Sequence, residues 1–150
     1  GSSASAMNDA IGSGLGRLVD AVRRRSGIDR VAIAGGAWLG GVRSALLMQS
    51  SGVGNCINMM SLLQSCRFPF LSLVTMRGEY AEFNPWQVPM SKATQGAMEL
   101  MGITVLRAER ADEVEDIVSA ALDAAFEGGE QVAVLLSQSL IGRKKWGGNK

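Results

Sequence analysis

The sequence contains no histidine among its 150 residues, and this absence excludes two large classes of active site. A Ser-His-Asp triad needs an imidazole, and zinc sites draw most of their ligands from His and Cys. The two cysteines, Cys56 and Cys66, form no CxxC pair. A zinc centre and a His-based triad are therefore excluded within this chain, a disulfide framework is not expected, and a reducing cytoplasm is the expected location.

Strong net charge and long apolar runs are also lacking. The formal net charge is +1, which offers no electrostatic case for nucleic acid or an anionic membrane as partner. The longest apolar run, residues 68–76, is strand-sized, whereas a membrane span needs about 20 residues. We interpret residues 1–6 as a cloning scar, residues 7–142 as a single domain and residues 143–150 as a basic tail.

Strand-like and helix-like segments alternate along the chain. The predicted strands cover residues 44–48, 68–76, 103–106 and 131–136. The predicted helices cover residues 15–25, 32–39, 57–65, 91–101 and 111–126, with a break at 27–31, an N-cap at Ser91 and a C′ residue at Gly102. This alternation predicts an α/β fold: a three-layer, mostly parallel sheet with helices on both faces.

The segment 48–58 reads MQSSGVGNCIN and lies between a predicted strand and a predicted helix; we call it the glycine motif. We expect Gly52 and Gly54 to adopt backbone angles open to glycine and to let a ligand approach closely. The neighbouring side chains that can form hydrogen bonds are Gln49, Ser50, Ser51 and Asn55. The motif has neither the GK[ST] ending of a P-loop nor the GxGxxG fingerprint, so a cofactor-facing loop and a simple capped turn both remain open.

A long polar segment, residues 77–89, follows the second predicted strand and reads RGEYAEFNPWQVP. Open α/β sheets bind ligands at the carboxyl ends of their strands, so this loop is a candidate site. The guanidinium of Arg77 suits a carboxylate, sulfonate or phosphonate, and an ion pair between Arg77 and Glu79 is the structural alternative. Glu79 and Glu82 are otherwise expected to be solvated.

Four segments together resemble a known family. The glycine motif, FPFL at 68–71, MRGE at 76–79 and WQVPM at 86–90 closely resemble the pyrimidine-binding domain of thiamine-diphosphate-dependent 2-oxoacid decarboxylases of the sulfopyruvate and phosphonopyruvate type. The resemblance extends over about residues 34–136. It implies the thiamine-diphosphate-binding fold and decarboxylation of a 2-oxoacid with thiamine diphosphate and Mg²⁺.

The resemblance also implies which residues form the site. The cofactor would contact Gln49, Ser50, Ser51, Gly52, Gly54 and Asn55, and Arg77, Glu79 and Gln87 would lie on the substrate side. The family's GDG…N motif, which binds Mg²⁺ and the diphosphate, is absent from this sequence. The resemblance therefore implies a diphosphate-binding partner chain or domain, in a hetero-oligomer of paired chains.

One expected residue is missing. In the family a glutamate activates the aminopyrimidine ring, and it should lie just before the segment AGGAWLGG at 34–41. Residues 27–33 read GIDRVAI, and the first glutamate of the chain is Glu79. Three explanations stay open: segments absent from this sequence, a shortened non-activating domain, or Asp29 as a substitute acid. The alternative functions are a non-catalytic interaction subunit and a generic phosphate- or nucleotide-binding domain.

Overall fold

A computed structural model of the chain describes residues 27–142. The predicted helix at 15–25 and the basic tail at 143–150 lie outside the described residues. The strands are β1 (Ala45–Gln49), β2 (Phe70–Thr75), β3 (Thr104–Ala108) and β4 (Gln131–Leu136). The α-helices are α1 (Gly27–Leu39), α2 (Ser50–Gly54), α3 (Ile57–Cys66), α4 (Val88–Leu100) and α5 (Val114–Phe126). Short 3₁₀ helices cover Pro85–Gln87, Ala111–Glu113 and Gln138–Ile141.

The four strands form one parallel sheet in the order β1-β2-β4-β3. Ala45 pairs with Leu71 in β2, and Leu71 pairs in turn with Val132 in β4. Because all pairs are parallel, the four carboxyl ends lie along the same edge of the sheet. The predicted α/β class, the parallel sheet and the alternation of strands and helices are confirmed.

Helices cover both faces of the sheet, as the apolar runs predicted. On one face, side chains of α1, α2, α3 and α4 pack against Phe70 and Val74 of β2. On the other face, Ala121 and Ala125 of α5 pack against Leu71, and against β4. The central strands β2 and β4 are therefore buried on both sides, which explains their nearly continuous apolar sequences.

Two sequence-based predictions about local structure were wrong. Residues 27–31 do not break the chain but form the first turns of α1. Ser91 is not an N-cap, because α4 begins at Val88 and Ser91 is buried inside it. The preceding 3₁₀ turn, which continues directly into α4, explains the early start.

The end of α4 is as predicted. Gly102 follows the helix with a φ of 76°, the left-handed conformation that favours glycine after a helix C-terminus. Among residues 27–142, no helix is both long enough and apolar enough to cross a bilayer.

Candidate functional site

The candidate site is the carboxyl edge of the sheet, where three segments leave the neighbouring strands β1, β2 and β4. The helix α2 follows β1 directly, and the turn Gln138–Ile141 follows β4. Residues 76–87, which we call the RGE loop, connect β2 to α4. Since β1, β2 and β4 are neighbours in the sheet, these three segments meet. Most of the polar side chains that the sequence singled out lie here.

The glycine motif is helical at its centre. Residues Ser50–Gly54 form α2, and a second helix begins at Ile57. Neither Gly52 nor Gly54 has a positive φ, so the expectation of special backbone angles was wrong. Gly54 instead lies against the flexible side chain of Met90 in α4, whose Sδ would be 2.6 Å from a Cβ at this position. Here α2 and α4 pack together beside the RGE loop.

Two contacts join the glycine motif to the RGE loop. The fully buried hydroxyl of Ser50 accepts a hydrogen bond of 3.2 Å from the backbone N–H of Arg77. The side-chain amide of Gln49 donates to Oγ of Ser51 at 2.6 Å and lies 3.4 Å from Oε1 of Gln87. The sequence predicted that these residues share a site, and the structure brings them together.

The guanidinium of Arg77 is held by Glu82, not by Glu79 as the sequence-based alternative proposed. Two parallel hydrogen bonds join it to the carboxylate, 2.8 Å from Nε to Oε2 and 3.0 Å from Nη2 to Oε1. The Glu82 side chain is only 3% exposed, so the expectation of a solvated carboxylate was wrong. The hydrogen bonds from Arg77 contribute most to lowering the pKa of Glu82, from 4.5 to about 2. The pKa of Arg77 is raised, chiefly by the hydrogen bond to Glu82.

The side chain of Gln138 holds the RGE loop through three hydrogen bonds. The sequence analysis did not identify Gln138 as a site residue. Its side chain is 3% exposed, and its Oε1 accepts hydrogen bonds from the backbone N–H groups of Glu79 and Tyr80 at 3.0 and 3.1 Å. Its Nε2 donates to Oε2 of Glu82 at 2.9 Å. The sequence offered one signal: a glutamine two residues after a buried strand, at the edge where ligand sites lie.

Glu79 is also bound rather than solvated. Its Oε1 accepts a hydrogen bond of 2.7 Å from Arg107 at the end of β3, with 18% of the Glu79 side chain exposed. Its Oε2 lies 3.3 Å from the backbone N–H of Gln138. Two residues further along, Ala81 has a φ of 45°, a left-handed conformation that non-glycine residues rarely adopt. The RGE loop is therefore held from the β3 and β4 sides as well.

An open cleft of about 290 Å³ lies beside the glycine motif. Among residues 27–142, its lining consists of Arg30, Leu46, Met48, Gln49, Ser51, Gly52 and Asn55. Three of the predicted cofactor-contacting side chains, those of Gln49, Ser51 and Asn55, thus face one space. Ser50 and Gly54 do not line it. Arg30 of α1 was missed, because the sequence gives no sign of which helix packs across the motif.

Cys56 at the end of the glycine motif is not a nucleophile in this arrangement. It is 1% exposed, and its thiol lies 3.4 Å from the carbonyl oxygens of Gly52 and of Val53. Burial raises the pKa of this thiol, so the reactive thiolate is disfavoured. The cysteine packs the motif onto the core.

The Gln138 contacts give a first prediction. In Gln138→Ala, the N–H groups of Glu79 and Tyr80 lose their acceptor, and each such hydrogen bond contributes about 0.5–1.5 kcal/mol. We expect fast hydrogen exchange at both amides, with the protection of β2 and β4 retained. Gln95→Ala, which removes one exposed contact to Glu99, is the matched control. Unchanged protection at Glu79 and Tyr80 would contradict the assigned role.

Comparison with known proteins reveals related chains. The alpha subunit of sulfopyruvate decarboxylase from Methanococcus maripaludis is 34% identical over 107 residues, which are 71% of this chain and 64% of that protein. The chain is a homologue of sulfopyruvate decarboxylase alpha subunits. The same subunit from Methanothermobacter thermautotrophicus is 33% identical over 108 residues, 71% of this chain and 66% of the relative.

A phosphonopyruvate decarboxylase is also among the relatives of the chain. Phosphonopyruvate decarboxylase from Streptomyces viridochromogenes is 42% identical over 55 residues, 36% of this chain and 14% of that protein. No protein-family model matches the chain. The predicted resemblance to sulfopyruvate and phosphonopyruvate decarboxylases is confirmed. The match spans less than two thirds of the length of the alpha-subunit relatives.

Proposed function

We propose that this chain is the pyrimidine-binding subunit of a thiamine-diphosphate-dependent 2-oxoacid decarboxylase of the sulfopyruvate or phosphonopyruvate type. One juxtaposition supports it most: the contact of Gln49 with Gln87, which joins the two segments that carry the resemblance. The relatives named alpha subunits support a multi-subunit enzyme. In this proposal a cytoplasmic partner chain holds Mg²⁺ and the diphosphate.

The cleft residues provide a test of whether the cofactor ring fits this chain. The side chains of Gln49, Ser51 and Asn55 offer hydrogen-bond donors and acceptors, and Met48 offers an apolar wall, which suits the edge and face of a neutral polar ring. When bound, thiamine diphosphate would supply the stabilisation of the carbanion formed as CO₂ leaves. This chain's part would be to bind and orient the ring and the substrate.

The remaining residues of the proposed site hold its segments in position or lie on the substrate side. Ser50 fixes the glycine motif against the backbone of Arg77, and Gly54 allows the packing of α4. Arg77, Glu79 and Gln87 form the substrate side. Because Arg77 and Glu79 are held in ion pairs, we infer that they fix the RGE loop, while the amide of Gln87 faces the substrate.

A second candidate function is a non-catalytic interaction subunit, and one observation favours it. In the part of the chain that the structure describes, no residue lining the cleft carries a carboxylate. The carboxylates of the RGE loop, Glu79 and Glu82, are engaged by Arg107 and Arg77. We therefore assign no residue among 27–142 to the role of the glutamate that activates the aminopyrimidine ring in the family.

Reconstitution distinguishes these functions. The chain would be mixed with a candidate partner chosen for its GDG…N motif, with thiamine diphosphate and Mg²⁺, and CO₂ release from 3-sulfopyruvate, 3-phosphonopyruvate and pyruvate would be measured. We expect decarboxylation of at least one substrate by the mixture and none by either chain alone. A stable complex without turnover of any of the three would support the non-catalytic subunit and reject the enzyme.

A further inference from the structure

A continuous series of hydrogen bonds crosses the carboxyl edge of the sheet, from β3 to the glycine motif that follows β1. We call it the edge network, and its six residues are, in order, Arg107, Glu79, Gln138, Glu82, Arg77 and Ser50. In the sheet order β1-β2-β4-β3, the strands β3 and β1 are the outermost of the four described strands. The network therefore connects two strands that are not neighbours.

At the β3 end, the network begins with the carboxylate of Glu79. Its Oε1 accepts a hydrogen bond of 2.7 Å from Nη2 of Arg107, and Nε of the same arginine donates to Oε1 of Glu109 at 3.0 Å. The other oxygen, Oε2 of Glu79, accepts from the backbone N–H of Gln138 at 3.3 Å. Because both oxygens of Glu79 are engaged, the position of its side chain depends on Arg107.

At the centre, Gln138 joins the two carboxylates of the RGE loop. Its backbone N–H donates to Glu79 and its side-chain Nε2 donates to Glu82. Each carboxylate is also paired with an arginine of its own, so the charges of the two ion pairs cancel. A polar network whose groups are satisfied in this way is rigid, and its members are expected to move together.

At the β1 end, Arg77 carries the network into the glycine motif. Its guanidinium is fixed by Glu82 through two hydrogen bonds, and its backbone N–H donates to Oγ of Ser50 at 3.2 Å. Ser50 directly follows Gln49, whose side-chain amide lies 3.4 Å from Oε1 of Gln87. A displacement that begins at Arg107 can therefore reach the contact between the glycine motif and the RGE loop.

We propose that Arg107 is a positioning residue for the reaction, which acts through the edge network on Ser50 and Gln87. This rests on the proposed function for the reaction itself. Arg107 lies in none of the four segments that carry the family resemblance. Its role follows from its hydrogen bond to Glu79 and from the unbroken series of contacts beyond it.

The first measurement follows the full 150-residue chain by NMR. In Arg107→Ala, we expect the amides of Glu79, Arg77 and Ser50 to shift while those of α3 stay unchanged, because Glu79 loses one of its anchors. Arg107→Lys keeps a cation and a donor and should restore much of the parental spectrum. Arg110→Ala is the matched control, because it removes an exposed guanidinium two residues after β3 that pairs with Asp112. It should leave all three amides in place.

The second measurement uses the reconstituted mixture. We expect Arg107→Ala to lower kcat/KM roughly 10-fold with a higher KM, because a displacement of about 1 Å in a positioning group can cost roughly 100-fold. A mere loss of folded protein would lower kcat and leave KM unchanged. Adding Glu79→Gln to Arg107→Ala should cause little further loss, because both substitutions break the same link.

Three results would each overturn the role of Arg107. These are an NMR shift at Glu79 that does not reach Ser50, additive effects of Arg107→Ala and Glu79→Gln on kcat/KM, and equal effects of Arg107→Ala and Arg110→Ala. Shifts that reach Ser50, in a chain whose parental mixture has no turnover, would reject the enzyme and leave the edge network standing.

Discussion

Gly78→Ala is expected to displace the RGE loop and to abolish most of the activity of the reconstituted enzyme. Gly78 has a φ of 88°, and a Cβ at this position would lie 2.7 Å from the carbonyl oxygen of Gln87 and 2.8 Å from Cα of Val88. These are backbone atoms, so no side-chain rotation relieves the overlap. The left-handed conformation alone costs about 1–3 kcal/mol.

The loop must therefore move away from the start of α4, and Gln87 must move with respect to Gln49. A displacement of about 1 Å of a positioning group can lower a rate roughly 100-fold. We expect kcat/KM for CO₂ release to fall by about this factor, and we expect the amides of residues 76–87 to shift in NMR spectra. The protected core of β2 and β4 should remain folded.

Gly41→Ala separates the overlap from the backbone strain. Gly41 has a similar φ of 76°, but a Cβ there would meet nothing within 4 Å. We expect a loss of stability of about 1–2 kcal/mol and normal activity of the folded protein. Equal effects of the two substitutions on activity would show that the contact between Gly78 and the start of α4 has no part in the site.

The Glu82 carboxylate is expected to make the RGE loop sensitive to acid. Its pKa in the folded chain is about 2, well below 4.5, chiefly because of the hydrogen bonds from Arg77. A carboxyl group with a lowered pKa stabilises the folded state above its unfolded pKa, and this stabilisation is lost as the pH falls. The contribution of Glu82 is therefore complete above pH 4.5 and disappears between pH 4.5 and about 2.

Glu82→Gln should flatten the stability curve in this pH window, because an amide has no proton to gain. Arg77→Gln should have a similar effect through the opposite partner, since it removes the main cause of the low pKa. Chemical denaturation at several pH values between 2 and 6 measures the slope. A parental slope in both variants would show that the Arg77–Glu82 pair does not link the stability of the loop to pH.

The same pair shows what the sequence could and could not predict. The order of strands and helices follows from apolar runs and glycines, and β4 has the bounds that were predicted for it. The sequence also indicated that residues near Gln49 and Arg77 share a site, because both follow buried strands. The fold was predictable since these signals are local and repeat along the chain.

The partners within the site were not predictable in this way. Arg77 pairs with Glu82 and not with Glu79, which is nearer in sequence, because the loop turns back through Gly78 and Ala81. Glu79 instead contacts Arg107 of β3, which lies two strands away from β2 in the sheet. Gln138 and Arg30 belong to segments that lie far from the glycine motif in sequence. Such contacts depend on side-chain packing between elements, which periodicity and turn residues do not encode.

Calorimetry with thiamine diphosphate and Mg²⁺ tests the central claim most directly. The titration would be carried out on this chain alone, on a candidate GDG…N partner alone and on their mixture. The proposed half-site predicts no saturable binding by this chain alone and clear binding by the mixture, with affinity above that of the partner. Full-strength binding by this chain alone, or no gain in affinity on mixing with a partner that forms a complex, would contradict the account.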